Sequence, residues 1–276
     1  MKQRGVFNYL LLPLSGIYSL VCYIRYFLSS PQKVNAKVIC VGNVVIGGSG
    51  KTPLCIALAK EHKKVAFISR GYKGALSNPV KPLKVDQTKH SYLEVGDEPL
   101  LLAEVAPTYI CPNRYLAAQL AIKDGAKVII MDDGLQNYSL YKDEVYIIDN
   151  QNTNGMVLPA GNLREPMNLA LRKGKLITAR TKVQQPSKFK GKSCIAVCSI
   201  AHPERFFTAL KSTGAKLVGQ HAFPDHHRYM GDELKSLIAK AKGQHCQLVT
   251  TSKDYVKLGK FKKEFLVLEI VVEFKS

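Results

Sequence analysis

A glycine-rich turn between two runs of regular character most constrains how this chain can fold. Residues 37–41 before the turn are typical of a β-strand, and residues 53–60 after it are typical of a helix. The turn consists of Gly47, Gly48, Ser49, Gly50, Lys51 and Thr52. Several backbone N–H groups and a helix N-terminus there favour an anion. We expect Lys51 to reach the β- and γ-phosphates and Thr52 to bind Mg²⁺, which predicts a nucleoside triphosphate site.

The turn departs from the full phosphate-binding loop (P-loop) pattern at one position. That pattern has a glycine five residues before Gly50, where this chain has Val45. Gly47 and Gly48 can supply the turn instead. The alternative is an ordinary glycine-rich turn that contains Gly-Lys-Thr by chance, but the flanking strand and helix favour the P-loop.

The N-terminal run, residues 6–24, carries no charge and has Lys2 and Arg4 before it and Arg25 and Lys33 after it. No small-residue cleavage site follows, so we do not expect a removed signal peptide. Its polar side chains recur near helical spacing, at Asn8, Ser15, Ser19 and Cys22. Its apolar side chains occupy another face, at Leu10, Leu14, Ile17, Val21 and Ile24. The pattern favours a helix lying in the membrane interface, with a transmembrane helix or a packed core helix as alternatives.

Short apolar runs typical of strands alternate with runs typical of helices through the rest of the chain. The predicted strands cover residues 37–46, 65–69, 80–85, 109–111, 128–131, 145–149, 176–179, 195–199, 217–223, 248–251 and 265–274. This alternation predicts an α/β fold with a P-loop NTPase-like, mostly parallel sheet. A polar join near residues 180–192 predicts a second, smaller α/β domain. We therefore divide the chain into an N-terminal membrane-associated helix (1–30), a P-loop domain (31–180) and the smaller C-terminal domain (181–276).

The chain is strongly basic, with a net charge of +19 from 40 Lys and Arg against 21 Asp and Glu. This excess suggests nucleic acid, anionic lipid or a phosphorylated substrate as partner. The basic residues are scattered without the aromatic interleaving of RNA-binding segments, so charge alone does not choose. The seven cysteines form no CxxC pair, which predicts buried, reduced thiols in a cytosolic protein rather than disulfides or a zinc site.

Carboxylates stand at two places where chemistry is expected. The apolar run at residues 128–131 ends in Asp132 and Asp133, where a P-loop enzyme needs an acid to hold Mg²⁺. The alternative is a solvated pair in a turn, but the upstream P-loop favours the metal. Asp97 opens a predicted helix and, from the residues alone, is better explained as an N-cap than as a catalytic group.

Two loops carry further polar side chains. Arg164 precedes Glu165 in an irregular segment, and it is either a phosphate clamp or half of a structural Arg–Glu pair. Asp225 precedes His226 after a predicted strand, and a carboxylate can orient a neighbouring histidine or raise its pKa. Taken alone, that second segment is better explained as a polar loop.

Several segments, taken in order, resemble one family, the tetraacyldisaccharide 4′-kinases of lipid A synthesis. The matching segments are residues 41–43, 47–53, 69–72, 96–99, 113–115, 132–136, 158–166, 203–207, 223–226 and 253–254. They span nearly the whole chain. The Gly-Asn-Leu-Arg-Glu-Pro and Phe-Pro-Asp-His segments are specific, whereas Gly-Lys-Thr is shared with many enzymes.

The resemblance implies a kinase that uses ATP and Mg²⁺ at the cytoplasmic face of the bacterial inner membrane, as a peripheral or monotopic protein. Its implied acceptor is the 4′-hydroxyl of a lipid disaccharide, tetraacyldisaccharide 1-phosphate. The implied partners are this lipid and the anionic membrane surface, with neither nucleic acid nor an obligate protein partner expected. Residues 31–180 would then form the kinase domain.

The resemblance also implies roles for individual residues. Asp97 becomes the base on the acceptor hydroxyl, which replaces the N-cap interpretation, and His226 tunes it. Lys51 joins them in catalysis. The implied metal-binding residues are Thr52, Asp132 and Asp133. The implied nucleotide-binding residues are Gly47, Gly48, Ser49, Gly50, Lys51, Thr52, Arg70, Arg164 and Glu165.

The chain departs from the family pattern at three positions. Asn137 stands where a histidine is usual, Ser199 where a glycine is usual and Ser252 where a glutamate is usual. These departures concern nucleotide details more than the reaction.

Two other functions fit part of the sequence. A membrane-associated ATPase switch of the partitioning type would bind ATP and dimerise. Such proteins carry a lysine just before the Gly-Gly pair, and this chain has Ile46 there. A nucleic-acid-binding P-loop protein is suggested by charge alone, and its binding would weaken steeply with salt.

Overall fold

The computed structural model describes residues 6–46, 50–149 and 153–275, in which strands and helices alternate. The strands are β1 (Lys37–Asn43), β2 (Val65–Ser69), β3 (Leu83–Lys84), β4 (Thr108–Ile110), β5 (Val128–Asp132), β6 (Glu144–Ile148), β7 (Lys175–Val183), β8 (Ser193–Cys198), β9 (Lys216–Ala222), β10 (Gln247–Thr251), β11 (Phe265–Leu268) and β12 (Ile270–Lys275). The helices are α1 (Val6–Leu10), α2 (Leu12–Phe27), α3 (Lys51–Ala59), α4 (Tyr92–Val95), α5 (Asp97–Ala103), α6 (Arg114–Lys123), α7 (Met167–Lys173), α8 (Pro203–Ser212), α9 (Gly231–Gly243) and α10 (Ser252–Tyr255).

The strands form two sheets. Eight of them make the larger sheet, in the order β12-β7-β6-β1-β5-β2-β4-β3. Its pairs are parallel except at the two edges, where β12 runs antiparallel to β7 and β3 antiparallel to β4. The smaller sheet is parallel, in the order β11-β10-β8-β9. The predicted α/β fold with a mostly parallel sheet is confirmed.

Strand β1 lies inside the larger sheet between β5 and β6 and is buried on both faces. Ile39 and Val41 pack in one core with apolar residues of α3, and Val38 and Cys40 pack in another with α6. An almost continuous apolar run suits a parallel strand covered by helices on both sides. Helix α3 follows this strand in the chain, so Gly50 and Lys51 lie at the sheet's carboxyl edge.

The end of the chain corrects one prediction. The sequence predicts a single strand over residues 265–274, but the structure has β11 in the smaller sheet and β12 in the larger one. Both strands are apolar, so hydrophobicity gives no signal of the break at Glu269. The predicted boundary at residue 180 falls inside β7. The domain division at 1–30, 31–180 and 181–276 stays a prediction.

The N-terminal helices bind the rest of the protein through polar groups. The Ser15 hydroxyl donates to the Val157 carbonyl at 2.5 Å, and the Asn8 amide donates to the Ala160 carbonyl at 2.7 Å. Ser15 is buried, so the polar face of α2 is the one turned toward the protein.

The apolar face of α2 is open. Leu14, Ile17 and Leu20 are 54%, 62% and 59% exposed. The alternative that this helix packs into the core by its apolar face is therefore wrong. Within the described residues, no helix combines the length and the apolar character needed to cross a membrane.

We expect Ile130→Ala, in the centre of β5, to lower the free energy of unfolding by about 2–5 kcal/mol because it leaves a cavity in a close-packed core. Ile130 is 0% exposed, whereas Val80 is 76% exposed, so Val80→Ala is the matched control. Urea unfolding followed by circular dichroism measures both. Equal unfolding midpoints for the two variants would contradict the described core.

Candidate active site

Loops at the carboxyl ends of strands from both sheets border one large cleft, with a volume of about 1940 Å³. Ligands of open parallel sheets gather at this edge because the loops emerge there. The residues predicted from sequence that line the cleft are Gly50, Lys51, Thr52, Arg70, Asp132, Asp133, Arg164, Glu165 and His226. Gly47, Gly48 and Ser49 lie outside the described residues.

The glycine-rich turn leads directly into helix α3. Gly50 precedes the helix with φ of +83°, in the left-handed region that glycine adopts without steric cost. The Lys51 ammonium lies 3.6 Å from Asp133 Oδ1 and 3.5 Å from Asn43 Oδ1. Thr52 is nearly buried at the first turn. The helix start thus presents a cation and a hydroxyl together to the cleft.

Asp132 ends strand β5 and is 1% exposed. One of its oxygens accepts a weak hydrogen bond from the Cys55 thiol at 3.7 Å. The other has no hydrogen-bond partner in the part of the chain that the structure describes. Burial, then the negative charges of Glu98 and Asp133, raise the pKa of Asp132 to about 7. The alternative that Asp132 is a solvated turn residue is therefore wrong.

These groups fit a divalent cation shared with phosphate oxygens. Asp132 Oδ2 is buried and has no hydrogen-bond partner among the described residues, and a bound cation would offset the cost of burying its charge. Within residues 6–46, 50–149 and 153–275, no group of three or more His, Cys, Asp or Glu side chains could hold a metal by itself. Mg²⁺ is commonly bound by one or two carboxylates, with phosphates and waters completing its octahedron.

Arg164 and Glu165 bind different partners. The Arg164 guanidinium donates to both oxygens of Asp133, at 3.0 and 3.1 Å. Glu165 is buried and accepts hydrogen bonds from Gln136, at 2.8 Å, and from Lys173. The expected alternative of a structural Arg–Glu pair is wrong, and Arg164 instead lies beside the carboxylate that faces the P-loop.

Asp97 and His226 meet although 129 positions separate them. The His226 Nδ1 atom lies 2.9 Å from Asp97 Oδ2. His226 lines the cleft, and Asp97 lies behind it, 6% exposed. The N-cap interpretation of Asp97 is wrong, because Gly96 holds the cap position and the Asp97 side chain accepts from the Glu98 N–H at 2.9 Å.

Cations surround the Asp97 carboxylate. Lys253 Nζ lies 3.9 Å and Lys257 Nζ 3.5 Å from its Oδ2 atom. Burial acts to raise the pKa of Asp97, but the hydrogen bond with His226 and the charges of Lys253, His226 and Lys257 outweigh it and lower the pKa to about 2. Asp97 is therefore ionised at neutral pH.

The backbone at these side chains is constrained. Gly96 has φ of +92°, and a Cβ there would lie 2.8 Å from the Tyr72 carbonyl oxygen, so glycine is required before Asp97. Asp133 and His226 have φ of +49° and +64°, which is uncommon for residues with a side chain. Such conformations persist where the surroundings over-determine them, as at functional sites.

Sequence reasoning assigned no role to Lys253, which lies at the centre of the site. Its ammonium lies 3.5 Å from Glu98 Oε1, 3.7 Å from Asp225 Oδ1 and 3.4 Å from His226 Nε2. Burial acts to lower the pKa of Lys253, but Glu98, Asp97 and Asp225 raise it overall. The available signal was its position just after β10, at the ligand-binding edge of a parallel sheet.

The positions that depart from the resembled family are accommodated. The Asn137 amide donates to the Pro112 carbonyl at 3.3 Å. The Ser199 hydroxyl, absent from a glycine, donates to Asp254. Ser252 opens α10 and lines the cleft.

Helix α2 reaches the same cleft. Tyr18, Cys22 and Arg25 line it, and the Tyr18 hydroxyl donates to the Arg164 carbonyl at 3.1 Å. One border of the cleft is therefore the helix whose other face is exposed and apolar.

The chain is similar to known proteins over most of its length. The family model described as "Tetraacyldisaccharide-1-P 4'-kinase" matches residues 7–190 and 174–276. A tetraacyldisaccharide 4′-kinase of Parvibaculum lavamentivorans is 37% identical over 91% of this chain and 81% of its own. One of Rhodopseudomonas palustris strain BisB5 is 38% identical over 94% and 85%. The crystal structure of LpxK from Aquifex aeolicus in complex with ATP matches with a TM-score of 0.81 and 26% identity, over 98% of this chain and 96% of that one.

We expect Asp132→Asn to stabilise the protein at pH 8. The folded-state pKa of about 7 exceeds the ordinary value of 3.8, so wild type loses stability as pH rises between the two values and carries the full cost above pH 7. Removing the charge should raise the free energy of unfolding at pH 8 by about 1–4 kcal/mol, with little gain at pH 4. Urea unfolding at both pH values measures this. The control is Asp232→Asn, whose side chain is 93% exposed, and an equal response of the two variants would contradict the burial of Asp132.

Proposed function

Because the chain belongs to the tetraacyldisaccharide-1-P 4′-kinase family, we propose that it transfers the γ-phosphoryl group of ATP to the 4′-hydroxyl of tetraacyldisaccharide 1-phosphate. The product is lipid IVA, in the synthesis of lipid A. Family membership disfavours the partitioning-type ATPase switch.

One observation carries this proposal. A single cleft is lined by Lys51 and Thr52 at the start of α3, by His226 in contact with Asp97, and by helix α2, whose apolar face is exposed. A lipid kinase needs these three parts within reach of one acceptor: a phosphate site, a base and an entrance from the bilayer. Phosphoryl transfer depends mainly on positioning and charge neutralisation, which such a cleft supplies.

Lys51, Thr52, Asp132 and Asp133 form the proposed phosphate and metal end. These residues would hold Mg²⁺, which would supply neutralisation of the phosphate charge that develops during transfer. The proposed metal ligands are Asp132 Oδ2, which has no hydrogen-bond partner among the described residues, and the Thr52 hydroxyl. Asp133 holds Lys51 and Arg164 in the cleft through its carboxylate. In these positions Lys51 and Arg164 can neutralise the negative charge on the transferred phosphoryl group.

Asp97 and His226 form the proposed base. An ionised carboxylate hydrogen-bonded to an imidazole can receive the proton of the acceptor hydroxyl through the pair. Tyr72 packs edge-on against the His226 ring, with centroids 5.9 Å apart, and this contact fixes the ring plane. Lys253 lies between His226 and two carboxylates and limits the ring to this orientation.

Arg70, Arg164 and Glu165 are proposed to contact nucleotide or substrate. Arg70 and Arg164 line the cleft and can bind phosphate oxygens in bidentate fashion. Glu165 is held by Lys173, whose ammonium also lies over the Tyr138 ring at 4.8 Å. The carboxylate is therefore fixed within the cleft.

Helix α2 is proposed to lie in the membrane interface at the cytoplasmic face of the inner membrane. Its polar face hydrogen-bonds to the rest of the protein, which leaves the apolar face to insert among lipid chains. The net charge of +19 favours an anionic leaflet. In this position the acyl chains of the substrate stay in the bilayer while its sugar enters beside Tyr18 and Cys22.

Lys51→Ala and Asp97→Asn are each expected to lower kcat by about 100-fold or more, because one loses phosphate neutralisation and the other loses proton transfer. The measurement is transfer of label from ATP to a panel of acceptors that includes the lipid disaccharide. Lys60→Ala, an exposed lysine at the end of α3, and Asp232→Asn are the matched controls. Near-native turnover by either site variant would remove that residue from the proposed mechanism. Label in none of the acceptors with wild-type protein would overturn the proposed function itself.

The double variant Ile17→Glu, Leu20→Glu is expected to lose most of its binding to anionic vesicles, since two charges on the apolar face oppose insertion. Val218→Glu is the control, because Val218 is 51% exposed on β9 of the smaller sheet. Vesicle sedimentation measures binding, and circular dichroism checks the fold. Undiminished sedimentation of the double variant would contradict the proposed interfacial helix.

A further inference from the structure

A fully buried lysine lies behind Asp97, where the proposed reaction does not use it. The side chain of Lys257 is 1% exposed and that of Asp254 is 0% exposed. Ser199 is also completely buried. Burying an ammonium group costs several kcal/mol unless its neighbours replace its hydration shell.

Three oxygen atoms lie around the Lys257 ammonium. Its Nζ atom lies 2.7 Å from Ser199 Oγ, 2.9 Å from Asp254 Oδ1 and 3.5 Å from Asp97 Oδ2. Ser199 directly follows strand β8 of the smaller sheet, and Asp254 lies on α10, the helix that follows β10 of that sheet. The third oxygen atom belongs to helix α5, which packs with the larger sheet. The ammonium therefore joins the two parts of the protein at the proposed base.

The position of Lys257 is itself fixed. Asp254 accepts from the Ser199 backbone N–H at 2.9 Å and from the Thr251 hydroxyl at 2.8 Å. Its N–H in turn donates to the Thr251 hydroxyl at 3.1 Å. Asp254 is thus tied to the carboxyl ends of two strands and presents Lys257 to Asp97 with little freedom.

We propose that Lys257 is a positioning residue for the phosphoryl transfer, one that holds the Asp97 carboxylate aimed at His226. This inference rests on the proposed function. The alternative is that Lys257 only neutralises Asp254 within the smaller sheet. The contact with Asp97 is the observation that favours the positioning role, because a local pair would not need it.

The charges that face Asp97 support this role. The cationic or titratable groups around it are His226, Lys253, Lys257 and Tyr92. The acidic groups nearby are Glu98, Asp225 and Asp254. Burial acts to raise the pKa of Asp97, and Lys257 is one of the charges that lower it. Without Lys257, Asp97 would lose one of the contacts to its Oδ2 atom and would be a less firmly oriented acceptor.

A double-variant cycle tests the inference. Lys257→Gln alone is expected to lower kcat about 10- to 100-fold with KM for ATP nearly unchanged, because it acts through the base and not through nucleotide binding. In the Asp97→Asn background, Lys257→Gln should lower kcat by less than about 2-fold further, because residues that act as a unit are not additive. A merely structural lysine would lower kcat by the same factor in both backgrounds. Lys260→Gln, an exposed lysine on the following turn, is the control.

Other variants keep the test decisive if Lys257→Gln fails to fold. Lys257→Gln with Asp254→Asn removes both buried charges together, which leaves no unpaired ion, and the same loss of kcat is expected. Lys257→Arg keeps the charge and should recover part of the lost turnover. Additive losses in the cycle, or native kcat in the folded double variant, would overturn the inference while the wild-type kinase stands. A wild type that labels no lipid acceptor would overturn the proposed function first.

Discussion

A buried, ionised carboxylate sets the conditions for the rest of this molecule. Asp97 begins a helix of the larger sheet's layer, but the side chains that surround its Oδ2 atom follow strands of the smaller sheet. Taking a carboxylate out of water costs free energy, and hydrogen bonds and opposite charges must offset that cost. Asp97 keeps these contacts only if the two sheets keep their relative position. The loops of the smaller sheet are therefore part of the site.

The sequence predicted those parts of the site that are local. The P-loop lysine and Asp132 each follow an apolar strand, so a strand pattern and a polar residue after it were enough to locate them. The contact between Asp97 and His226 was beyond such reasoning, because it spans 129 positions and depends on how two sheets pack. The resemblance to a family supplied that pair. Lys257 was missed for the same reason, since nothing in its neighbours along the chain reveals a contact with α5.

The N-terminal helix shows a second limit of periodicity. Its spacing predicted a polar face and an apolar face, and the structure has both. A soluble amphipathic helix ordinarily buries the apolar face, whereas α2 turns Ser15 toward the protein and leaves Ile17 open. A period in the sequence identifies faces but not the neighbour that each face meets. Here that neighbour is a loop whose carbonyl groups at Val157 and Ala160 accept hydrogen bonds from Ser15 of α2 and Asn8 of α1.

The last strand returns to the larger sheet, and this determines how the smaller sheet is connected to the rest of the chain. The chain leaves the larger sheet after β7, builds the smaller sheet, and comes back as β12 beside the strand it left. Two chain segments, one after β7 and one before β12, therefore connect the smaller sheet to the larger one. The smaller sheet is an insertion between two strands of the larger sheet and not a C-terminal extension of it. A nonsense codon anywhere before β12 would strip an edge from the nucleotide-binding half, even though the lost residues are the farthest in sequence from the P-loop.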